Sequence, residues 1–235
     1  MKVLFVGEGN HDIGAAEASW GQPRPARGVV PVLAHRACPS IQIKGVDSTA
    51  KKEADSIALS WHDIPRFSPK GRKGFEARVA AAMLLSSRRF DCAGTVCVSD
   101  QDGDTDRPTA LQRGKQTGLA QVGAHHAIAV GVAVESIEAW TLGAPEAIAE
   151  ELDLPLARVQ SALPSKHVES LRESSGKDEH RPKALISRLA ALVHREDSTA
   201  LRCAVAARTN IDSLRRACPE GFDAFARELK NAFAQ

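Results

Sequence analysis

Thr95-Val96-Cys97-Val98-Ser99-Asp100-Gln101-Asp102-Gly103-Asp104 begins as a short apolar run and ends in alternating acids. The run reads as a strand buried in a sheet, and the acids as the loop at its carboxyl end. A second stretch has the same form: Val3-Leu4-Phe5-Val6-Gly7-Glu8-Gly9-Asn10-His11-Asp12. In an open parallel sheet the carboxyl edge is where ligands bind. Two such edges bring Glu8, Asp100 and Asp102 towards one another. Carboxylates crowded together repel unless a cation lies among them. Hard oxygen donors suit Mg²⁺ or Mn²⁺, and phosphate chemistry is a common use of an ion held this way.

Outward from these strands, helix and strand signals alternate. Ile13–Trp20 reads as a short helix, 21–28 as a loop with Pro23 and Pro25, and Val29–Ala37 as a helix. Ile41–Val46 alternates and predicts a strand, while 47–72 reads as a polar excursion over the surface. Phe75–Arg89 is an alanine-rich helix, and Pro108–Leu119 another, with Pro108 suited to its first turn. Ala127–Val134 is apolar throughout, as expected of a central strand buried on both faces. A helix over Glu135–Leu142 follows. The rhythm predicts an α/β domain with a mostly parallel, Rossmann-like sheet flanked by helices.

Strand signals stop near residue 145. Helices are expected over Pro145–Leu152, Leu156–Leu163, Pro182–Val193, Ser198–Ala207 and Phe222–Phe233. The chain therefore divides into an α/β part, 1–145, and a helical part, 146–235, that packs on it. Between the helices, 164–181 is polar and charged and reads as a mobile stretch.

Composition narrows the function. The chain has 235 residues, 43% of them hydrophobic, and a net charge of +2, so any basic surface must be local. It has three Trp, seven Phe and no Tyr, which argues against a stacking platform for single strands. Cys38, Cys92, Cys97, Cys203 and Cys218 form no Cys-x-x-Cys pair and read as buried thiols in a reducing compartment. Neither a signal peptide nor a run of 18 apolar residues occurs, so a cytoplasmic protein with no membrane segment is expected.

Each acid has a plainer reading beside the functional one. Asp12 suits a helix cap as well as a metal ligand. Glu8 lies between Gly7 and Gly9, where the backbone turns tightly and approaches a ligand. Asp100 and Asp102 are two apart, so an extended chain points both to one side. Asp104 and Asp106 lie further into the loop. A calcium EF-hand fails on spacing, because Thr105 falls where glycine is needed and Leu111 where the closing glutamate is needed. A phosphoacceptor aspartate with Mg²⁺ also fits a strand end, but leaves Glu8-Gly9-Asn10-His11-Asp12 unexplained.

These motifs together resemble the Toprim domain shared by topoisomerases, primases and OLD-family nucleases. Glu8-Gly9-Asn10-His11-Asp12, then Asp100-x-Asp102, carry the likeness. Val134-Glu135-Ser136-Ile137-Glu138-Ala139-Trp140 resembles the Ile-Glu-x-Trp signature of a bacterial Toprim-like family often found beside an ABC-type ATPase. Arg181-Pro182-Lys183-Ala184-Leu185 is similar to a later stretch of that family. Gly7 departs from the hydrophobic residue many Toprim domains have there. The likeness covers about residues 1–145 directly. It implies that Glu8 handles protons beside the metal, that Asp100 and Asp102 hold it, and that Glu138 serves a second ion. Asp12 and Glu135 join the implied ligand set. Lys183 is either a lysine that stabilises transition-state charge or an ordinary helix-start lysine.

Lys166, Arg172, Lys177, Arg181 and Lys183 populate the polar stretch and the helix after it. Each alone reads as surface charge, and as a set they suit phosphates. His125-His126 precedes a strand at its amino end, where adjacent residues face opposite ways, so they share no metal. His11 lies within the acid turn. Residues 147–163 have the rhythm of a helix-turn-helix without its glycine, and two packed helices explain them equally.

The reading is an Mg²⁺- or Mn²⁺-dependent nuclease with one or two ions; DNA is favoured over RNA as its substrate, but the sequence does not decide between them. The resemblance adds a role in defence against phage or foreign DNA and a partner ATPase. Two rivals remain: a non-catalytic scaffold that binds nucleic acid or the ATPase, and a small-molecule phosphotransferase. The sequence sets no oligomeric state.

Overall fold

Residues Val3–Gly7 form β1, buried at all five positions. A strand apolar on both faces needs cover on both, and β1 lies inside a five-stranded sheet of order β2-β3-β1-β4-β5. The other strands are β2 (Arg24–Pro25), β3 (Ile57–Ser60), β4 (Gly94–Asp100) and β5 (Ala127–Ala133). All pairings are parallel except the short β2, which runs antiparallel to β3. The computed structural model describes residues 1–14, 23–43, 55–64, 74–165, 167–172, 176 and 180–234.

Three helices connect this sheet: α2 (Val29–Ala37), α3 (Phe75–Arg88) and α4 (Arg107–Val122). α2 lies on one face with Val3, Phe5 and Val96, while α3 and α4 cover the other with Leu4, Val6 and Cys97. The chain passes from β1 to β3 on one side, then returns to β4 on the other. The order therefore reverses between β1 and β4, where such sheets leave a crevice at the carboxyl edge. Val6 pairs with Cys97 across β1 and β4, which sets Glu8 level with Ser99.

The remaining helices are α1 (Asn10–Ile13), α5 (Glu138–Leu142), α6 (Pro145–Leu152), α7 (Leu156–Ala162), α8 (Pro182–Ala191), α9 (Thr199–Arg208), α10 (Ile211–Ala217) and α11 (Phe222–Phe233). The helices beyond residue 145 are more than an appendage. Phe222, Phe225, Leu229 and Phe233 repeat at helical spacing, and all four are buried with Phe5, Val96 and Ala129. Trp140 stacks on Phe225 at 5.5 Å and meets Phe222 edge-on at 5.4 Å. A side chain at Gly131 would lie 2.6 Å from Phe225, so glycine there admits α11 to the sheet. Residues beyond 145 thus supply part of one layer of the α/β core. A separate apolar cluster, with Leu142, Ile148, Leu185 and Leu201, joins α5 to α9. It contains α6 and α7, which are two packed helices.

Several expectations change. The first helix spans Asn10–Ile13 and ends at Gly14, whose φ is +79°; 15–20 lie outside the described residues. Ile41 and Ile43 are buried, yet 41–43 form no strand, and 44–46 lie outside the described residues. Alternation there reports burial without a ladder. The strand beside β1 is instead Ile57–Ser60, within the stretch expected to wander over the surface. β5 is an edge strand, not a central one. It is apolar because α11 and α4 cover its two faces, and Lys115 and Gln112 of α4 reach Glu228 of α11 at 2.6 and 3.3 Å. α10 was not expected. Within 164–181, Val168–Ser170 forms a 3₁₀ turn, while 166, 173–175 and 177–179 lie outside the described residues. Four cysteines are buried and Cys203 is half-buried, all as free thiols. Among the described residues no helix is long and apolar enough to cross a membrane.

Candidate functional site

Glu8 leaves β1 at the reversal point. Its Oε1 accepts a 2.6 Å hydrogen bond from Ser99 Oγ, and Arg107 Nη1 lies 3.5 Å from the same oxygen. Arg107 also donates to Ser99 Oγ at 2.7 Å and to the Asp100 carbonyl at 2.9 Å. Its guanidinium sits 4.0 Å from the centre of the Phe75 ring, which fixes its plane. Phe75 in turn packs edge-on against Trp61, whose Nε1 donates to the Val98 carbonyl at 3.0 Å.

Asp12 is buried in α1, and its Oδ2 accepts from the Gly9 amide at 3.1 Å. The cap reading of Asp12 holds, and its charge is also felt by Asp100. A side chain at Gly28 would meet the Asp12 backbone at 2.2 Å. Glycine there lets the start of α2 press against the acid turn. Asp100 ends β4, and its Oδ1 accepts from the Ile137 amide at 2.9 Å. The turn after β5 thus orients the carboxylate at the end of β4.

These acids share one electrostatic environment. Burial raises Asp12 to about 7, with Glu138 and Glu8 adding to the rise. Burial raises Asp100 to about 9, assisted by Asp12, Glu138 and Glu8. Glu8, Asp12 and Glu138 thus each act on the charge of Asp100 at the carboxyl edge of the sheet.

Glu138 opens α5 and is only 4% exposed. Its Oε1 accepts a 2.7 Å hydrogen bond from Arg202 Nη1, and Lys183 Nζ lies 3.8 Å from that oxygen. Arg202 is 5% exposed and grips Asp197 with two bonds of 2.7 Å, Nε to Oδ1 and Nη2 to Oδ2. Burial works against the Asp197 charge, but the Arg202 bonds prevail and hold it below the usual carboxylate range. His11 Nδ1 is 2.9 Å from Thr199 Oγ1. Burial, then the Arg202 charge, lowers its pKa, which keeps the imidazole neutral near pH 7.

The remaining expected residues are placed differently. Asp102 is exposed, with φ +49°, in the turn that continues through Gly103 at φ +74°. The chain ceases to be extended at Asp100, so the expected shared face of Asp100 and Asp102 is lost, and Asp12 stands with Asp100 instead. Glu135 precedes α5 and does not share a helix face with Glu138; its Oε1 accepts from Arg172 Nε at 2.8 Å. Arg172 is thus paired with an acid at the surface. Arg181 is the residue before α8, and Lys166 and Lys177 lie outside the described residues. His126 is buried against Thr95 Oγ1 at 2.8 Å, a core histidine.

Sequence reasoning missed Ser99, Arg107, Asp197, Thr199 and Arg202. Ser99 was readable as the residue beside Asp100 facing the other strand. Arg202 carries no local signal, since it lies 64 residues from Glu138.

Four carboxylates suit a divalent ion in donor chemistry, but burial is the first cause of the raised Asp12 and Asp100, with the neighbouring acids second. Ser136 Oγ, in the turn between Asp100's anchoring amide and β5, is buried with no hydrogen-bond partner among the described residues. A buried orphan of this kind calls for a water or ion. Among the described residues, no three His, Cys, Asp or Glu side chains are grouped closely enough to hold a metal. A cavity of about 510 Å³ at the β5 edge, lined by Gln101, Gln112, Val132, Phe225 and Glu228, contains none of the four acids. No family model, curated protein or solved structure matches the chain.

Proposed function

We propose that the protein is a metal-dependent phosphodiesterase acting on nucleic acid, DNA in the first instance. The observation that carries this reading is the shared charge environment of Glu8, Asp12, Asp100 and Glu138 at the sheet reversal, with Lys183 3.8 Å from Glu138. Glu8, Asp12 and Asp100 are the donors that Mg²⁺ or Mn²⁺ would draw on, and they would have to close up to bind it, since as they stand they are not grouped closely enough. Each is already oriented through one oxygen, by Ser99, the Gly9 amide and the Ile137 amide. A bound ion of this class activates water and neutralises phosphate charge.

The protein's own groups supply the rest. Glu8 is the least buried of the three and accepts from Ser99, so it is placed to take a proton from incoming water. Arg107 holds Glu8 and Ser99 in register. Lys183 is 56% exposed and within reach of both Glu138 and solvent, a position suited to a phosphate oxygen. The Toprim likeness of these motifs agrees with this chemistry, and a role in defence with an ATPase partner is its further implication.

The rival of a non-catalytic module draws on one observation: no three metal-ligating side chains among the described residues are grouped to hold an ion. The test is cleavage of plasmid DNA, linear DNA and RNA in Mg²⁺ or Mn²⁺. Metal-dependent cleavage lost in Glu8→Gln and Asp100→Asn supports the proposal. Unchanged cleavage in either variant rejects the assignment, and inactivity of the wild type favours the module. Turnover of nucleotides but not polymers would indicate a phosphotransferase.

A further inference from the structure

We propose that the open edge of β5 binds an extended peptide segment of a partner protein as an added strand, with a basic side chain of that peptide set against Glu220. The inference goes beyond the reading above and depends on no metal. β5 pairs with β4 on one side only. In a parallel pair, alternate residues turn both main-chain groups towards the neighbour, and those between turn theirs away. Two bonds fix the phase. The Ala127 amide donates to the Ala93 carbonyl at 3.4 Å, and the Gln101 amide to the Ala133 carbonyl at 2.9 Å. Residues 127, 129, 131 and 133 therefore face β4. Val130 and Val132 direct their N–H and C=O outward, and among the described residues no hydrogen bond from outside the ladder reaches them.

Both valines line the cavity of about 510 Å³ at this edge. Their outward groups recur about 6.6 Å apart, a repeat of donors and acceptors that an extended main chain matches. The amides of Gln101, Gln112 and Asn231 also line the recess. Each carries donors and an acceptor for the far side of an incoming strand. Leu111 of α4 and Phe225 of α11 wall it on either side, so peptide side chains that alternate in direction each meet an apolar surface. Charge selects the occupant further. Arg227 is paired with Asp223 at 3.3 Å, and Glu228 with Lys115 at 2.6 Å. Glu220 is exposed at the same recess and forms no ion pair among the described residues. The unmatched charge is thus negative and suits a lysine or arginine. A second copy of the chain fits less well. α4 and α11 lie on opposite faces of the sheet, so Gln112 and Lys115 reach Glu228 only by passing round the outer side of β5. Two such overhung edges would meet only with α4 and α11 of both copies displaced. A single strand needs only a half-exposed ion pair to part, which costs little.

Fluorescence anisotropy and amide hydrogen exchange on the full chain test this, with labelled pentapeptides X-Lys-X-Thr-X and X-Thr-X-Lys-X in which X is Val, Ile or Phe. The tightest peptide is expected to bind with a Kd below about 100 μM. It should slow exchange at the Val130 and Val132 amides by at least about tenfold and at Ala129 and Gly131, already bonded to β4, by less than about twofold. Methylating the peptide nitrogens on its pairing edge is expected to weaken binding at least about tenfold, since the added ladder loses its donors. Glu220→Lys is expected to reverse the preference between this peptide and its counterpart with Glu in place of Lys. Val132→Pro removes an outward N–H, a change an edge strand tolerates, and should weaken binding by at least about tenfold. If that variant does not fold, the methylated peptides and Glu220→Lys carry the test. No binding by any of the peptides, binding indifferent to methylation, or unchanged exchange at Val130 and Val132 overturns the inference. An unchanged preference in Glu220→Lys overturns the basic partner. A wild type that sediments as a dimer and becomes a monomer in Val132→Pro overturns the peptide in favour of a second copy.

Discussion

Asp100 and Glu138 lie at the same sheet edge and contribute to the same acid cluster, yet their surroundings are opposite. Burial, then the neighbouring acids, raise the Asp100 carboxyl to about 9, against the lowering effect of the Ile137 amide that orients it. Glu138 is more deeply buried but meets a guanidinium at 2.7 Å that Asp197 holds from behind. One region relieves its crowded charge by holding protons on Asp12 and Asp100. The other is a finished ion-pair network. Burial acts on both acids, and the difference between them is that Glu138 has a guanidinium in hydrogen-bond contact.

The largest expected effect breaks the finished network. Arg202→Ala leaves Glu138 and Asp197 buried without their cation and should destabilise the fold by about 3–5 kcal/mol. Urea denaturation would measure it. A loss under about 1 kcal/mol, the range of surface pairs, would mean that Glu138 and Asp197 are solvated and that the two regions do not differ.

The acid side should respond in the reverse sense. Glu8→Gln and Asp100→Asn should lower metal-dependent cleavage by about 10²-fold or more, as loss of proton-handling or charge-stabilising groups does. Asp100→Asn should not lower thermal stability near pH 7, because Asp100 already holds a proton there and asparagine keeps the oxygen that accepts from the Ile137 amide. An active Asp100→Asn, or one much less stable than wild type, would undo the contrast with Glu138.

A third effect is pH-dependent. Asp12 and Asp100 hold protons in the folded state at pH values where the unfolded chain has released them. Stability of the metal-free protein should therefore fall as pH rises above the unfolded carboxylate range, the loss completing near about 7 for Asp12 and about 9 for Asp100. The slope from Asp100 is at most about 1.4 kcal/mol per pH unit. Chemical denaturation between pH 7 and 9 should show the decline in the wild type, and Asp100→Asn should flatten it. A rising slope in the wild type would contradict the assigned direction.

The smallest effect sharpens the comparison by contrast. Asp102→Asn should change stability by less than about 0.5 kcal/mol and leave cleavage within about twofold. Asparagine tolerates the left-handed conformation of this exposed turn. Strong loss of activity would restore Asp102 to the site in place of Asp12.

Much of the framework was legible in the chain. Val29–Ala37, Pro145–Leu152 and Phe222–Phe233 have the bounds their periodicity predicts, because amphipathic spacing and a proline at a first turn are local signals. The apolar runs around β1, β4 and β5 marked the strands, and the acids after β1 and β4 marked the edge. β3 was missed because Ile57–Ser60 is four residues long and amid polar sequence, and its strand identity comes from pairing with β1. Ile41 and Ile43 misled because alternate burial does not require a ladder.

The sequence by itself determined the α/β alternation and the delivery of Glu8, Asp100 and Glu138 to strand ends, since each depends on residues within a few positions. Tertiary structure alone decided which acids share a charge environment. Asp102 leaves the site when the backbone turns at Gly103, and Asp12 joins it because α1 begins early and Gly28 admits close packing. The pairing of Glu138 with Arg202 spans 64 residues and depends on how α9 packs against the chain. Coulomb interaction acts through space, and distance along the chain carries no record of it.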